Sequence, residues 1–238
     1  MPFPKNDYRV IQGSRLSIYS IRNKIPGNLL IFRRFVVPEN SNIPFSSVFL
    51  DKNPPIDAHI DEMLQWCKKI YGVSSNPGMK GNLSFRTGMG FIITGSGLML
   101  NSVTKDTVVE VRGVVFGLNR PSIYTKGQAA PSEEALLHSV IYETFPEINA
   151  IFFLTSHNII EAAEKAGVPS ADINRPAGSQ ELAQEVENLF NSNNNTRSLI
   201  IKNRGVITLG KTMSEAAQLT EEIQKKPESG VRAKSGKK

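Results

Sequence analysis

The stretch Pro146-Glu147-Ile148-Asn149-Ala150-Ile151-Phe152-Phe153-Leu154-Thr155 decides the fold. From Ile148 to Leu154 it is apolar apart from Asn149, with none of the alternation of a half-buried strand, so it predicts a strand covered on both faces. Helices are needed on either side to cover it, and the flanks supply them. Upstream, Ser132 followed by Glu133-Glu134 and then Leu136, Leu137, Val140 and Ile141 predicts a helix capped by Ser132, with acids in its first turn, ending near Pro146. Downstream, Asn158–Ala166 is a short amphipathic pattern closed by Gly167 and Pro169, and a second helix is expected over Ser179–Phe190. Ser198–Ile201 and Val206–Leu209 form a strand pair around Asn203-Arg204-Gly205, and Ser214–Gln224 closes the chain with a helix.

Further upstream, Ile60, Met63, Leu64, Cys67 and Ile70 recur at helical spacing within Asp57–Tyr71, with Gly72 placed as a C-cap. Leu83–Arg86, Phe91–Thr94, Val108–Val111 and Val114–Leu118 are short β-type runs punctuated by glycine, as in hairpins of one antiparallel sheet. Arg9–Tyr19 and Asn28–Val37, separated by Pro26-Gly27, predict two more strands. The fold class is therefore α/β, layered α/β/α, with a mostly antiparallel central sheet flanked by helices. Residues 1–50 are expected to form a β-rich extension, 51–224 the main domain and 225–238 a disordered basic tail.

Composition narrows the function classes. Of the net charge of +6, most sits in the tail, where Lys225, Lys226, Arg232, Lys234, Lys237 and Lys238 face the single acid Glu228. The body is close to neutral and pairs no aromatic groove-readers with a basic face, which argues against specific nucleic-acid binding. The tail's composition points to solubility, with a weak contact to phosphate or an anionic surface as the functional alternative. No apolar run reaches the ~18–20 residues of a membrane span, and Met1–Lys5 leads into no secretory h-region, so the cytoplasm is expected. The single cysteine, Cys67, lies in a helical pattern beside Trp66 and reads as a buried structural thiol.

Several short motifs, in order, carry a family resemblance. They are Gly81-Asn82-Leu83-Ser84-Phe85-Arg86, Ile93-Thr94-Gly95-Ser96-Gly97, Pro131-Ser132-Glu133-Glu134 through His138, Pro146–Ile151, and Asn203-Arg204-Gly205-Val206. The chain resembles the class II aldolase/adducin family from about Ile60 to Gln224. That resemblance implies the family's fold, a homo-oligomer (a tetramer by analogy) with sites between subunits, and a small anionic or sugar-like ligand.

In the family's enzymes a divalent metal, usually zinc, is held by three histidines. Here the matching positions carry Phe153, Thr155 and Arg204, and a two-residue slip brings only Thr155 and His157 onto the strand motif. The chain holds His59, His138 and His157 alone, so a site of three converging ligands is not expected, and neither is a zinc cofactor. Glu134 matches the family's acid/base glutamate, and is equally readable as a first-turn acid favoured by the helix dipole. Arg204, a fixed cation at the vacated position, is expected to pair with Glu134.

Asn82, Ser96, Gly97 and Ser132 match positions that grip phosphate in the family. Thr94–Gly97 is also readable as a plain tight turn, and Ser132 as a helix cap. Glu133 stands where a second serine would be, and a carboxylate there repels a phosphate. Two functions follow: a non-catalytic binding or assembly module in the manner of the adducin head, or an aldolase-type lyase using Glu134 as base and Arg204 to stabilise an oxyanion.

Overall fold

The computed structural model describes residues 10–11, 18–19, 45–73, 79–116, 120–193 and 196–225. The expected strand Asn28–Val37 and the basic tail from Lys226 lie outside them. Residues 1–39 form one unit, in which β1 (Val10–Ile11) and β2 (Ile18–Tyr19) pair antiparallel, Val10 opposite Tyr19. Arg9–Tyr19, expected as one strand, therefore holds two.

The second unit begins with β3 (Ser46–Asp51), α1 (Ile60–Val73), β4 (Lys80–Thr87) and β5 (Gly90–Thr94). It continues through β6 (Val108–Val115), β7 (Ser122–Lys126), α2 (Ala135–Thr144) and β8 (Ala150–Thr155). Then come α3 (His157–Lys165), β9 (Ser170–Ala171) and α4 (Gln180–Ser192). The last elements are β10 (Ser198–Ile201), β11 (Gly205–Gly210) and α5 (Met213–Lys225). The sheet runs β3-β7-β6-β5-β4-β8-β11-β10-β9; its two outermost pairs are parallel and every inner pair is antiparallel.

The quoted apolar run is the centre of this sheet, as expected. Because successive strand residues face opposite sides, β8 sends Ala150, Phe152 and Leu154 into the core shared with α1, α3 and α5. Ile151 and Phe153 enter the other core, shared with α2 and α4. Two cores on one sheet make the three-layer α/β/α arrangement, and Phe152, with no accessible surface, contributes roughly 1.5–3 kcal/mol by burial.

Several sequence expectations need correction. Residues 46–50, assigned to the extension, belong to the sheet: β3 pairs in parallel with β7 from Ser46↔Ser122 to Asp51↔Lys126. The run 108–111 and the start of the run 114–118 are one strand, β6, which ends at Val115 and whose register against β7 shifts between Val111 and Gly113; residues 117 and 118 lie outside the described residues. Gly72 lies inside the last turn of α1 instead of capping it. The acids before α2 precede its first turn, because the helix starts at Ala135 and Glu134 itself takes the N-cap position.

Candidate active site

One end of the sheet gathers the start of β4, the end of β5, the end of β8, the turn before β11 and the start of α2. Glycine makes that assembly possible at two points. Gly81 has φ +152°, and a Cβ there would stand 2.3 Å from the Phe153 carbonyl oxygen; on the other side of β8, a Cβ on Gly205 would stand 2.3 Å from the Leu154 carbonyl oxygen. Only glycine lets both neighbours approach β8 this closely.

Glu134 is the focus. Its Oε2 accepts hydrogen bonds from Asn82 Nδ2 at 3.0 Å and from Ser132 Oγ at 3.0 Å, while its own backbone N–H donates to Ser132 Oγ at 3.4 Å. Asn82 and Ser132 are buried, and Asn82 Oδ1 has no hydrogen-bond partner among the described residues. The Glu134 carboxyl keeps some accessible surface yet is hemmed in, and this burial raises its pKa above the ordinary carboxylate value. The negative charge of Glu133 adds to the rise, while the Ser132 hydroxyl, the helix backbone and the Arg204 cation oppose it.

The turn after β5 is tied by its backbone to the segment before α2. Gly95 N–H donates to Thr107 O at 2.7 Å and Ser96 N–H to Ala130 O at 2.9 Å, with Gly97 in the left-handed region at φ 75°. Ser96 and Ser132 are thus drawn to the same end of the sheet, but the amides of Gly95 and Ser96 are committed to carbonyls.

Arg204 sits in the β10–β11 turn, next to Asn203, whose φ of 61° makes the turn tight. Its guanidinium donates to the carbonyl of Arg175. The direct ion pair expected with Glu134 is not formed; Arg204 acts on that carboxyl only through its field. The guanidinium is turned instead to the Arg175 carbonyl, on the loop leading to α4. Phe153, opposite Asn82 in the β4–β8 register, is buried, and its Cζ would lie 3.3 Å from a Cβ on Gly205. Thr155 is exposed at the end of β8.

The three histidines stand apart. His59, before α1, is exposed and its Nδ1 lies 2.8 Å from Asp57 Oδ1. His157 is exposed as the first residue of α3, whose cap is Ser156. His138 is buried in α2. Among the described residues no three His, Cys, Asp or Glu side chains are grouped to hold a metal ion. Cys67 is fully buried, and burial pushes its thiol pKa up to about 12, which suits a structural thiol and not a nucleophile.

Sequence reading passed over the support behind Glu134. His138 Nδ1 and Tyr142 Oη each lie 2.7 Å from Ser84 Oγ. Arg86 donates to the carbonyls of Tyr142, Phe145 and Ile148 at 2.7–3.2 Å, which satisfies backbone groups that α2 leaves open at its C-terminal end. Its guanidinium also lies 4.8 Å from the Tyr142 ring centroid. The readable signal was Asn82, Ser84 and Arg86 at alternate strand positions facing Glu134, His138 and Tyr142 at every fourth helix position.

Comparison with known proteins places these features. Residues 61–228 match the model of the Class II Aldolase and Adducin N-terminal domain. The chain is 30% identical over 179 residues to an L-fuculose phosphate aldolase of Methanococcus maripaludis, covering 69% of this chain and 92% of that one. It is 26% identical over 184 residues to a 3-oxo-tetronate 4-phosphate decarboxylase of Haemophilus influenzae, covering 68% and 81%. Its fold resembles that of L-fuculose-1-phosphate aldolase from Thermus thermophilus, with TM-score 0.52, 18% identity, and coverage of 69% and 88%.

Proposed function

Because the chain belongs to the class II aldolase and adducin family, we propose that it is an aldolase-type lyase acting on a small, phosphorylated, sugar-like carbonyl compound, with Glu134 as its proton-transfer group and without the family's metal. The observation that carries this reading is Glu134 itself: partly accessible, anchored by Asn82 and Ser132, and raised in pKa by burial. A carboxyl shifted toward neutrality is suited to both taking and returning a proton.

In the cleavage direction, Glu134 removes the proton of the hydroxyl β to the carbonyl. The C–C bond breaks as that oxygen becomes an aldehyde, and the bonding pair moves onto the substrate carbonyl as an enediolate. Arg204 supplies positive charge near that oxyanion, and Glu134 returns its proton to the carbon. The donors at the family's metal positions do not fit a divalent ion: the Phe153 ring has no lone pair to give, and Arg204 is a permanent cation held by the Arg175 carbonyl. No step is therefore routed through a metal. Assembly as a homo-oligomer forms part of the same reading.

A second reading, a non-catalytic binding or assembly module, is favoured by one observation: Phe153 lies against Gly205, where a polar catalytic group would otherwise stand. The test is cleavage of L-fuculose 1-phosphate by the purified chain, by its Glu134→Gln variant, and by each in the presence of a chelator. The lyase reading expects turnover that survives chelation and is lost in Glu134→Gln. Ligand binding without turnover in any sample would decide for the module.

A further inference from the structure

A cavity of about 380 Å³ lies between the end of α3, the start of β10 and α5, and its lining includes Val168, Arg197, Ser198, Leu219, Glu222 and Ile223. β10 starts here at Ser198 and runs to Ile201, roughly 10 Å further on at the rise of a strand, before the turn that carries Arg204. The cavity is therefore separate from the cluster around Glu134 and shares no residue with it.

Two opposite charges line this cavity without meeting. Arg197 Nη1 is buried and has no hydrogen-bond partner among the described residues. Glu222 is exposed on α5 and forms no ion pair among the described residues, because the lysines of α3 and α5 near it are engaged elsewhere, Lys165 with Glu161 and Lys225 with Glu221. A guanidinium N–H removed from water without an acceptor is costly, and a bound acceptor relieves that cost. The planar fork of arginine matches a carboxylate. A plain anion is opposed, however, by Glu222 and by the C-terminal end of α3, whose residues Ala166 and Gly167 also border the cavity and bring partial negative charge to it. The ligand that satisfies both ends carries a carboxylate and a cation together.

We propose that this cavity binds a small zwitterion, an α-amino acid with an apolar side chain. Its carboxylate is received by Arg197, its ammonium by Glu222 and the end of α3, and its side chain by Val168, Leu219 and Ile223. Val168 and Leu219 are only partly buried against the core shared by α1, α3 and α5, while Ile223 belongs to that core, so the three form an apolar wall with surface still to be covered. The Ser198 hydroxyl adds a group able to donate or accept. The volume is at the small end of the range for ligand sites, which suits a molecule of this size. The site is independent of the lyase reading, since a phosphorylated, sugar-like substrate brings no ammonium.

The experiment is calorimetric titration of the full chain with L-leucine, with leucinamide, which lacks the carboxylate, and with 4-methylpentanoate, which lacks the ammonium. The wild type is expected to bind L-leucine, and to bind each of the other two about tenfold more weakly through loss of one charge-assisted contact. Arg197→Gln should weaken L-leucine by about the same factor. Glu222→Gln, a change at an exposed position, should weaken L-leucine while leaving 4-methylpentanoate near its wild-type value. No saturable binding of L-leucine by the wild type overturns the proposal and leaves the Arg197 N–H to water. Equal binding of L-leucine and 4-methylpentanoate by the wild type overturns it as well, and so does L-leucine binding unchanged in Glu222→Gln. The comparison of three ligands on the wild type and the Glu222→Gln variant decides the matter even if Arg197→Gln fails to fold.

Discussion

Ser84 on β4 and His138 on α2 meet at 2.7 Å, Oγ to Nδ1, and the same hydroxyl lies 2.7 Å from Tyr142 Oη. The contact belongs to a seam: Asn82, Ser84 and Arg86, on one face of β4, engage Glu134, His138 and the C-terminal end of α2 in turn. Two strand residues advance about 6.6 Å and four helical residues about 6 Å, so the two ladders stay in step over three contacts. Glu134 and Arg86, the two ends of this seam, are half-buried, while Asn82, Ser84, His138 and Tyr142 between them are buried.

Removing the shared hydroxyl should therefore cost more than an ordinary serine. In Ser84→Ala, His138 Nδ1 loses its hydrogen-bond partner while remaining buried, and Tyr142 Oη keeps only its contact with the Ile151 backbone. At about 1–3 kcal/mol for a buried group left unsatisfied, a loss of about 1–3 kcal/mol is expected by urea denaturation. A change below ~1 kcal/mol would show that the seam does not hold α2 to the sheet.

The sheet's centre was legible in the apolar run of β8, and most helices in their 3.6-residue spacing, because those signals are local. β3, β7 and β9 were not foreseen: Ser46–Asp51 and Ser122–Lys126 are short, and β3 and β9 find their partners in parallel at the two sheet edges, where no local period announces them. At the site, Asn82, Ser132 and Glu134, which come from two of the sequence motifs, meet in one place. The Arg204–Glu134 pair failed because no local feature of the sequence shows that the loop before α4 offers the Arg175 carbonyl to that guanidinium. The seam's hydrogen bonds join residues more than fifty positions apart and become visible only in three dimensions.

Stability should fall on mild acidification because of His138. Burial lowers its pKa from 6.5 to about 3 in the folded state. Between those values the unfolded chain binds the proton and the native chain does not. The contribution is thus fully present above pH 6.5 and is lost as pH falls toward 3, at up to about 1.4 kcal/mol per pH unit. His138→Gln should flatten the pH 5–6.5 part of the stability curve relative to wild type, measured by denaturant melts across that range; parallel curves would contradict the assignment.

Glu134 works in the opposite direction. Its folded pKa lies above 4.5, raised first by burial, so the native state binds the proton where the unfolded chain has released it. Its contribution is present below 4.5 and is lost as pH rises through the folded value. Glu134→Gln, which keeps an acceptor for Asn82 and Ser132, should then be more stable than wild type at pH 8, with the gap closing toward pH 4. A variant less stable at pH 8 would mean that the carboxylate is a structural anchor, not a strained functional group.

Gly205→Ala should lose more than about 2 kcal/mol, because its Cβ would stand 2.3 Å from the Leu154 carbonyl oxygen and force β11 off β8. Thermal unfolding of this variant beside Gly72→Ala, where a Cβ meets nothing within 4 Å, makes the comparison internal. Equal melting temperatures would contradict the close approach.

The most direct test of the central claim, a family member whose proton-transfer glutamate persists without the metal, is the zinc content of the purified chain after zinc loading and desalting, by inductively coupled plasma mass spectrometry. On the proposed match of Phe153, Thr155 and Arg204 to the family's ligand positions, essentially no retained zinc is predicted. One zinc per chain would contradict the account, and would mean that other residues of this chain hold the ion.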